Sequence, residues 1–169
     1  MRFSEWLDDF DHAMRDRRDA VVPCGACTAC CTSSQFVHID PDENDTLAHV
    51  PASVRFPAPG LPKGHFVMGY DEHGRCPMLV DDECTIYDHR PRTCRSYDCR
   101  IFAATGVVPD QPEIATRVHD WQFDLAGDVD DQERWDAVRS AVPDDGPPIE
   151  RALRALRSAT TPRGSRSPG

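Results

Sequence analysis

Apolar positions recur at three-to-four-residue spacing in several stretches of this chain and alternate with polar ones in two others. Phe3, Trp6, Phe10 and Met14 share one stripe, which predicts a helix over residues 4–19 with Ser4 as N-cap and Pro23 beyond its end. The stripe reads as a face packed on the body of the protein, with a partner surface as the alternative. Residues 35–40, QFVHID, set Phe36, His38 and Asp40 against Val37 and Ile39 and predict a short strand. Asp40 as N-cap, Pro41 at the first position and Glu43 at the third then open a helix that ends before Pro51. Residues 51–64 carry Pro51, Pro57, Pro59, Gly60, Pro62 and Gly64 and read as an irregular loop. FVMGY (66–70) is a second strand signal, with a turn at His73-Gly74.

Further along, RIFAATG (100–106) reads as the end of a helix with Gly106 as C-cap. Pro112 starts another, with Ile114, Val118, Trp121 and Leu125 on one face. Trp135, Val138 and Val142 mark a short helix. Ile149, Leu153 and Leu156 mark a last one, with Arg151, Arg154 and Arg157 on its other face. Residues 160–169, TTPRGSRSPG, are expected to be disordered.

Composition changes this picture in one respect. A chain of 169 residues is one domain with a tail. Leu, Ile, Val and Phe make up only about a fifth of it, and its formal net charge is −10. Such a chain struggles to bury a core, so eight cysteines suggest a covalent or metal staple. No apolar run approaches the roughly 18 residues of a membrane span. The opening residues carry no apolar secretory segment, so the expectation is a cytoplasmic protein with reduced thiols. Lys63 is the single lysine, and the scattered carboxylates nominate no acid–base pair. No catalytic residue is therefore assigned, and the chain reads as a binding protein more than as an enzyme on its own. Residues 151–169 hold five arginines and no acid, leaving −15 on residues 1–150. That acidic body disfavours nucleic acid, and a solvated or self-docked tail is the simpler reading.

The cysteines carry the chemistry. Cys24, Cys27, Cys30 and Cys31 form a CxxCxxCC run; Cys76, Cys84, Cys94 and Cys99 follow about 45 residues later. Two-residue gaps let a tight turn aim two sulfurs at one ion, and Gly25 eases that turn by tolerating positive φ. Neighbouring side chains such as Cys30 and Cys31 diverge in most conformations, which points to a multinuclear centre or two nearby centres. CxxCxxC matches the first three ligands of a bacterial ferredoxin run, and Cys76-Pro77 echoes the Cys-Pro that closes it. Four thiolates also suit zinc, and softness does not separate the two. Metal ligation is favoured over disulfides or a catalytic dithiol, and a Cys30–Cys31 disulfide would be strained.

These residues resemble the YkgJ-type cysteine-cluster family, also called the CxxCxxCC or zinc- or iron-chelating domain. The resemblance covers residues 22–103. It rests on the four early cysteines and on GRCPMLVDDECTIYDHRPRTCRSYDC (74–99), including Tyr87, Arg90, Pro91 and Arg95. It implies a metal-binding domain. Some larger relatives resemble flagellin lysine N-methylases that carry an iron–sulfur cluster; this shorter chain lacks a glycine-rich nucleotide loop.

The remaining motif residues have physical readings of their own. Pro91 suits the first turn of a helix carrying Cys94. On an ideal helix Cys99 would stand about 140° from Cys94, so either the helix breaks or the two sulfurs serve different metals. Arg90 and Arg95 are expected to donate to thiolates or nearby carbonyls, with a surface pair to Asp88 or Asp98 as the alternative. Tyr87 is expected to pack beside them with its hydroxyl on a partner group. His65, His73 and His89 lie near the second cysteine group and read as surface histidines.

The expected fold is α+β, small and irregular, with little sheet: a cysteine-ligated metal centre, standing in for a hydrophobic core, flanked by helices. Residues 1–21 form an N-terminal helix, 22–106 the metal-binding domain, 107–159 a helical extension and 160–169 a tail. The centre holds an iron–sulfur cluster (4Fe–4S preferred) or Zn2+, in a structural or redox role. The alternative is an electron-transfer or accessory subunit of a protein-modifying enzyme, meeting a protein partner through the N- or C-terminal helices.

Overall fold

The computed structural model describes residues 1–16, 18–125 and 129–160. The tail expected to be disordered lies, from residue 161 onward, outside the described residues. The helices are α1 (Phe3–Asp16), α2 (Asn44–His49), α3 (Arg92–Ser96), α4 (Arg100–Thr105), α5 (Pro112–Val118), α6 (Val129–Ser140) and α7 (Pro148–Thr160). The strands are β1 (Val37–Ile39), β2 (Arg55–Pro57), β3 (Phe66–Met68), β4 (Leu79–Val80) and β5 (Glu83–Cys84). The fold is thus α+β with little sheet. The chain divides into two compact units. One comprises Arg17–Asp98 and Gln111–Arg117; the other comprises Met1–Asp16, Cys99–Asp110 and Val118 onward.

In the first unit, β3 lies between β1 and β2, antiparallel to both. Val37 and Ile39 face inward opposite Met68 and Phe66, while His38 and Val67 share the other face. Residues 51–64 are not wholly a loop: Arg55–Pro57 pairs with β3. The proline-rich composition hid this strand, but an edge strand tolerates Pro57 because one side of it needs no donor. The helix expected at Asp40 begins a turn late, at Asn44. Its capping logic survives in the preceding turn, where Glu43 Oε2 accepts the Asp40 N–H at 2.8 Å.

Val37, Ile39, Val50, Met68, Met78 and Ile86 form a buried cluster, with Cys76, Cys84 and Cys94 packed against it. The thiols therefore do not replace a hydrophobic core, as composition suggested, but line one side of one. Each such side chain is worth roughly 1.5–3 kcal/mol on full burial, so six are enough to seat a loop-rich unit.

In the second unit, Phe3, Trp6, Leu7 and Phe10 are buried. Phe3 meets Trp135 and Phe123 edge-on, at centroid distances of 5.1 and 5.4 Å. The face of α1 that a partner might have used is spent inside this unit. The Ser4 backbone N–H donates to Asp131 Oδ1 at 2.9 Å, so the start of α1 is satisfied by a carboxylate from α6. Gly106 closes α4 in the left-handed region, as expected. The helix from Pro112 stops at Val118, short of Trp121 and Leu125. Helix α7 buries Leu156 as expected, but Ala152 and Ala155 are buried in place of Ile149 and Leu153, because small residues let α4 and α6 pack close.

Candidate metal centre

The amino-terminal cysteines sit on two consecutive tight turns. The Cys27 N–H donates to the Cys24 carbonyl at 3.0 Å, and Gly25 occupies the first central position with φ of 58°. A side-chain-bearing residue is disfavoured there. Ala29–Cys31 then forms a 3-10 turn, with the Cys31 N–H on the Thr28 carbonyl at 2.8 Å. The Cys76 N–H donates to the Cys31 carbonyl at 2.7 Å, which joins the two cysteine groups through the backbone. Close by, the Ser34 N–H donates to the Gly74 carbonyl, and a Cβ on Gly74 would fall 2.3 Å from Ser34 Oγ.

The four later cysteines come from four separate places in the chain. Cys76 precedes a turn closed by the Leu79 N–H on its carbonyl. Cys84 lies in β5, aimed by a two-residue hairpin whose Asp81 and Asp82 both have positive φ. Cys94 sits in α3, behind Pro91 as expected. Glu43 supports α3 by accepting the Arg92 N–H at 2.5 Å; sequence reasoning placed Glu43 only in its own turn. The helix breaks at Tyr97, which is extended, and Cys99 opens α4 in the other unit. There the Trp121 indole N–H donates to the Cys99 sulfur at 3.1 Å.

Electrostatics show which thiols of the first unit share a space. The Cys31 thiol donates a hydrogen bond to Cys30, against the expected divergence of neighbours. That bond, aided by backbone N–H groups and Arg90, holds Cys30 down to about 7 against the cost of burial. The same bond pushes Cys31 up, with burial and the charges of Cys30, Cys76 and Cys94 adding to it. Burial, then Cys30, Cys76 and Cys84, pushes Cys94 up to about 12, opposed by Arg90. Burial and then Cys84 and Cys30 raise Cys76. Burial, Cys30 and Cys27 raise Cys24, which also feels Arg117 and Asp98. Cys30 is thus the hub linking the first run to the second. Arg117 lies outside the sequence-derived set, since nothing in its spacing marked it, and Asp98 entered only as an alternative partner for Arg90 or Arg95.

Arg90 lies close enough to lower both Cys30 and Cys94. Its guanidinium covers the Tyr87 ring at 3.6 Å, and its Nε donates to the Tyr87 carbonyl at 2.7 Å. Tyr87 is itself exposed and serves as the platform that aims Arg90. Arg95 pairs with acids: its Nε is 3.1 Å from Asp19 and its NH2 3.9 Å from Glu43. Its carbonyl accepts the Ala20 N–H at 2.8 Å, which ties α3 to the segment entering Cys24. Among the described residues, no three sulfurs lie within 4.8 Å of one another. The groups with that spacing are His38, Asp40 and His65, and Asp45, His49 and His89.

The donor set fits a soft, thiophilic metal centre. The unit gathers seven thiols, exposed at Cys24 and Cys30 and half-buried at the others, with the Arg90 and Arg117 guanidinium groups close to them, and none of the eight cysteines is in a disulfide. Burial and neighbouring thiols keep protons on Cys31 and Cys94, and a bound metal cation would take the place of those protons. A family model described as "CxxCxxCC: Putative zinc- or iron-chelating domain" matches residues 23–117. The match extends beyond 22–103 to include α5, whose residues 111–117 belong to the cysteine unit. No curated protein and no solved structure matches the chain.

Proposed function

The chain belongs to the CxxCxxCC zinc- or iron-chelating family, and from that premise we propose that its cysteine unit holds a polynuclear thiolate-bound centre, a 4Fe–4S cluster first. The observation that carries this reading is the backbone bond from the Cys76 N–H to the Cys31 carbonyl at 2.7 Å, which brings the two halves of the motif together, and the mutual influence of Cys30, Cys76 and Cys94 supports it. Four thiolates complete either one zinc ion or one 4Fe–4S cluster, and the ferredoxin-like CxxCxxC spacing is what puts the cluster first. Cys24, Cys27, Cys30, Cys31, Cys76, Cys84 and Cys94 are the candidate ligands of this unit; Cys99 belongs to the other unit. Arg90 offsets surplus negative charge at the sulfurs, and Tyr87 and Arg95 hold the surrounding loops. A bound cluster would supply electron transfer or a structural cross-link. The role favoured is structural or redox, with service to a protein-modifying partner as the next choice.

Anaerobic purification of the full chain, with metal and sulfide analysis and a visible spectrum on one sample, tests this. The expected result is iron with inorganic sulfide and broad absorption that bleaches on reduction. Zinc without sulfide would replace the cluster and leave metal binding standing. A metal-free protein with paired thiols would overturn the reading.

A further inference from the structure

A second constellation stands on the outer face of the three-stranded sheet. His38 lies in β1 opposite Val67, and continuing that register sets Asp40 opposite His65. Strand alternation therefore puts His38, Asp40 and His65 together on the face turned away from the core. Their side chains meet there. His38 Nε2 is 3.1 Å from His65 Nδ1, and Asp40 Oδ1 is 3.5 Å from His65 Nδ1 and 3.8 Å from His38 Nδ1. All three residues are half-buried, and the two rings lie nearly parallel.

The group is held in place from behind. Asp40 Oδ2 accepts from Arg92 NH1 at 2.6 Å, which leaves Oδ1 directed at the imidazoles. The Thr93 hydroxyl donates to the His38 carbonyl at 2.8 Å. Two imidazole nitrogens and one carboxylate oxygen are the donors of open three-ligand zinc and ferrous sites. Metal–donor bonds of about 2.0–2.2 Å in tetrahedral geometry set donors about 3.3–3.5 Å apart. The His38 Nε2–His65 Nδ1 and Asp40 Oδ1–His65 Nδ1 spacings are already near that, one donor atom from each residue lies within 4.8 Å of the other two, and a turn of the His38 ring brings a single nitrogen into the set.

We propose that His38, Asp40 and His65 form a separate binding site for a divalent transition-metal ion, three protein ligands leaving one position open. The site is independent of the thiols in donor type, being nitrogen and oxygen where they are sulfur. Arg92 and Thr93 act as positioning residues that connect it to α3, the helix of Cys94. The comparable group of Asp45, His49 and His89 is less suited. His49 Nδ1 is engaged by the Asp45 carbonyl, and the two rings lie face to face at 3.5 Å.

The test uses the full chain as isolated, with its thiolate metal in place, and Zn2+ alone as the added probe. Equilibrium dialysis with metal analysis should show His38→Ala/His65→Ala holding about one equivalent fewer than the parent chain. Thiolate-to-metal absorption should be unchanged, which separates this site from the cysteine centre. His49→Ala/His89→Ala should bind as the parent does. Should the first double variant fail to fold, ring-proton NMR of the parent decides: added Zn2+ should shift His38 and His65 and leave His12 and His119 in place. Equal stoichiometry in the folded variant, loss of the ion only in His49→Ala/His89→Ala, or unshifted His38 and His65 signals would overturn the proposal.

Discussion

Asp131 shows how much one side chain decides in the helical unit. It is buried, accepts the Ser4 N–H and lies 3.4 Å from Arg2 NH2. Hydrogen bonds from the Ser4 side chain and backbone, then Arg2, hold its carboxyl below the usual range against the cost of burial. A carboxyl whose native pKa is lowered stabilises the fold fully above its unfolded value of about 3.9. That contribution drains away as pH falls through the native value. Asp131→Asn should therefore cost about 1–3 kcal/mol near neutral pH, and its stability should be flatter than the parent's below about pH 4. Urea titrations followed by tryptophan fluorescence at several pH values would show both effects. Nothing in the sequence marked Asp131, because its partners Arg2 and Ser4 lie more than a hundred residues away. By contrast Gly25 was legible, since a CxxC turn asks for positive φ at that position and the structure has it.

At the scale of elements, the β4–β5 hairpin is the least economical piece of backbone around the cysteines. Its two-residue turn needs positive φ at both central positions, and aspartates fill them at 50° and 61°. Asp82→Gly should relieve that strain and raise stability by about 0.5–1 kcal/mol, less any share lost with the exposed Arg75–Asp82 pair. Chemical denaturation of metal-loaded protein would measure it. A lower midpoint would mean that the ion pair outweighs the backbone term. Elements with a strong local signature were readable: α1 from its aromatic stripe, α4 from Gly106 and β1 from alternation. Elements set by tertiary contact were not. Strand β2 was masked by its prolines and exists because β3 offers it a free edge. The buried face of α7 joins two alanines to the expected Leu156, and hydrophobic patterning weighs alanine lightly against Ile149 and Leu153. The cysteine positions were plain from spacing. The pairing of His38 with His65 was not, because it depends on strand register across a 27-residue separation.

For the whole molecule, the division into two units gives metal a defined reach. The thiols centred on Cys30 tie together turns, a hairpin and a short helix that share only a six-residue core. Metal binding there is folding free energy, since an unfolded chain offers no such site. Stripping the metal with a chelator under reducing conditions should lower the unfolding midpoint of residues 17–98, read by hydrogen exchange on peptides from that segment. Peptides from α1, α4, α6 and α7 should change less, because Phe3, Ile101, Val138 and Leu156 are buried without help from a thiol. Equal loss of protection in both sets of peptides would contradict this. No helix among the described residues is long and apolar enough to cross a membrane. The segregation of aromatic side chains makes the two halves separable by light. Every indole (Trp6, Trp121 and Trp135) belongs to the helical unit, and every phenol (Tyr70, Tyr87 and Tyr97) to the cysteine unit. Selective excitation of the indoles at the red edge of their absorption therefore follows the helical half alone, so the native chain carries a built-in optical reporter for that half with no label attached.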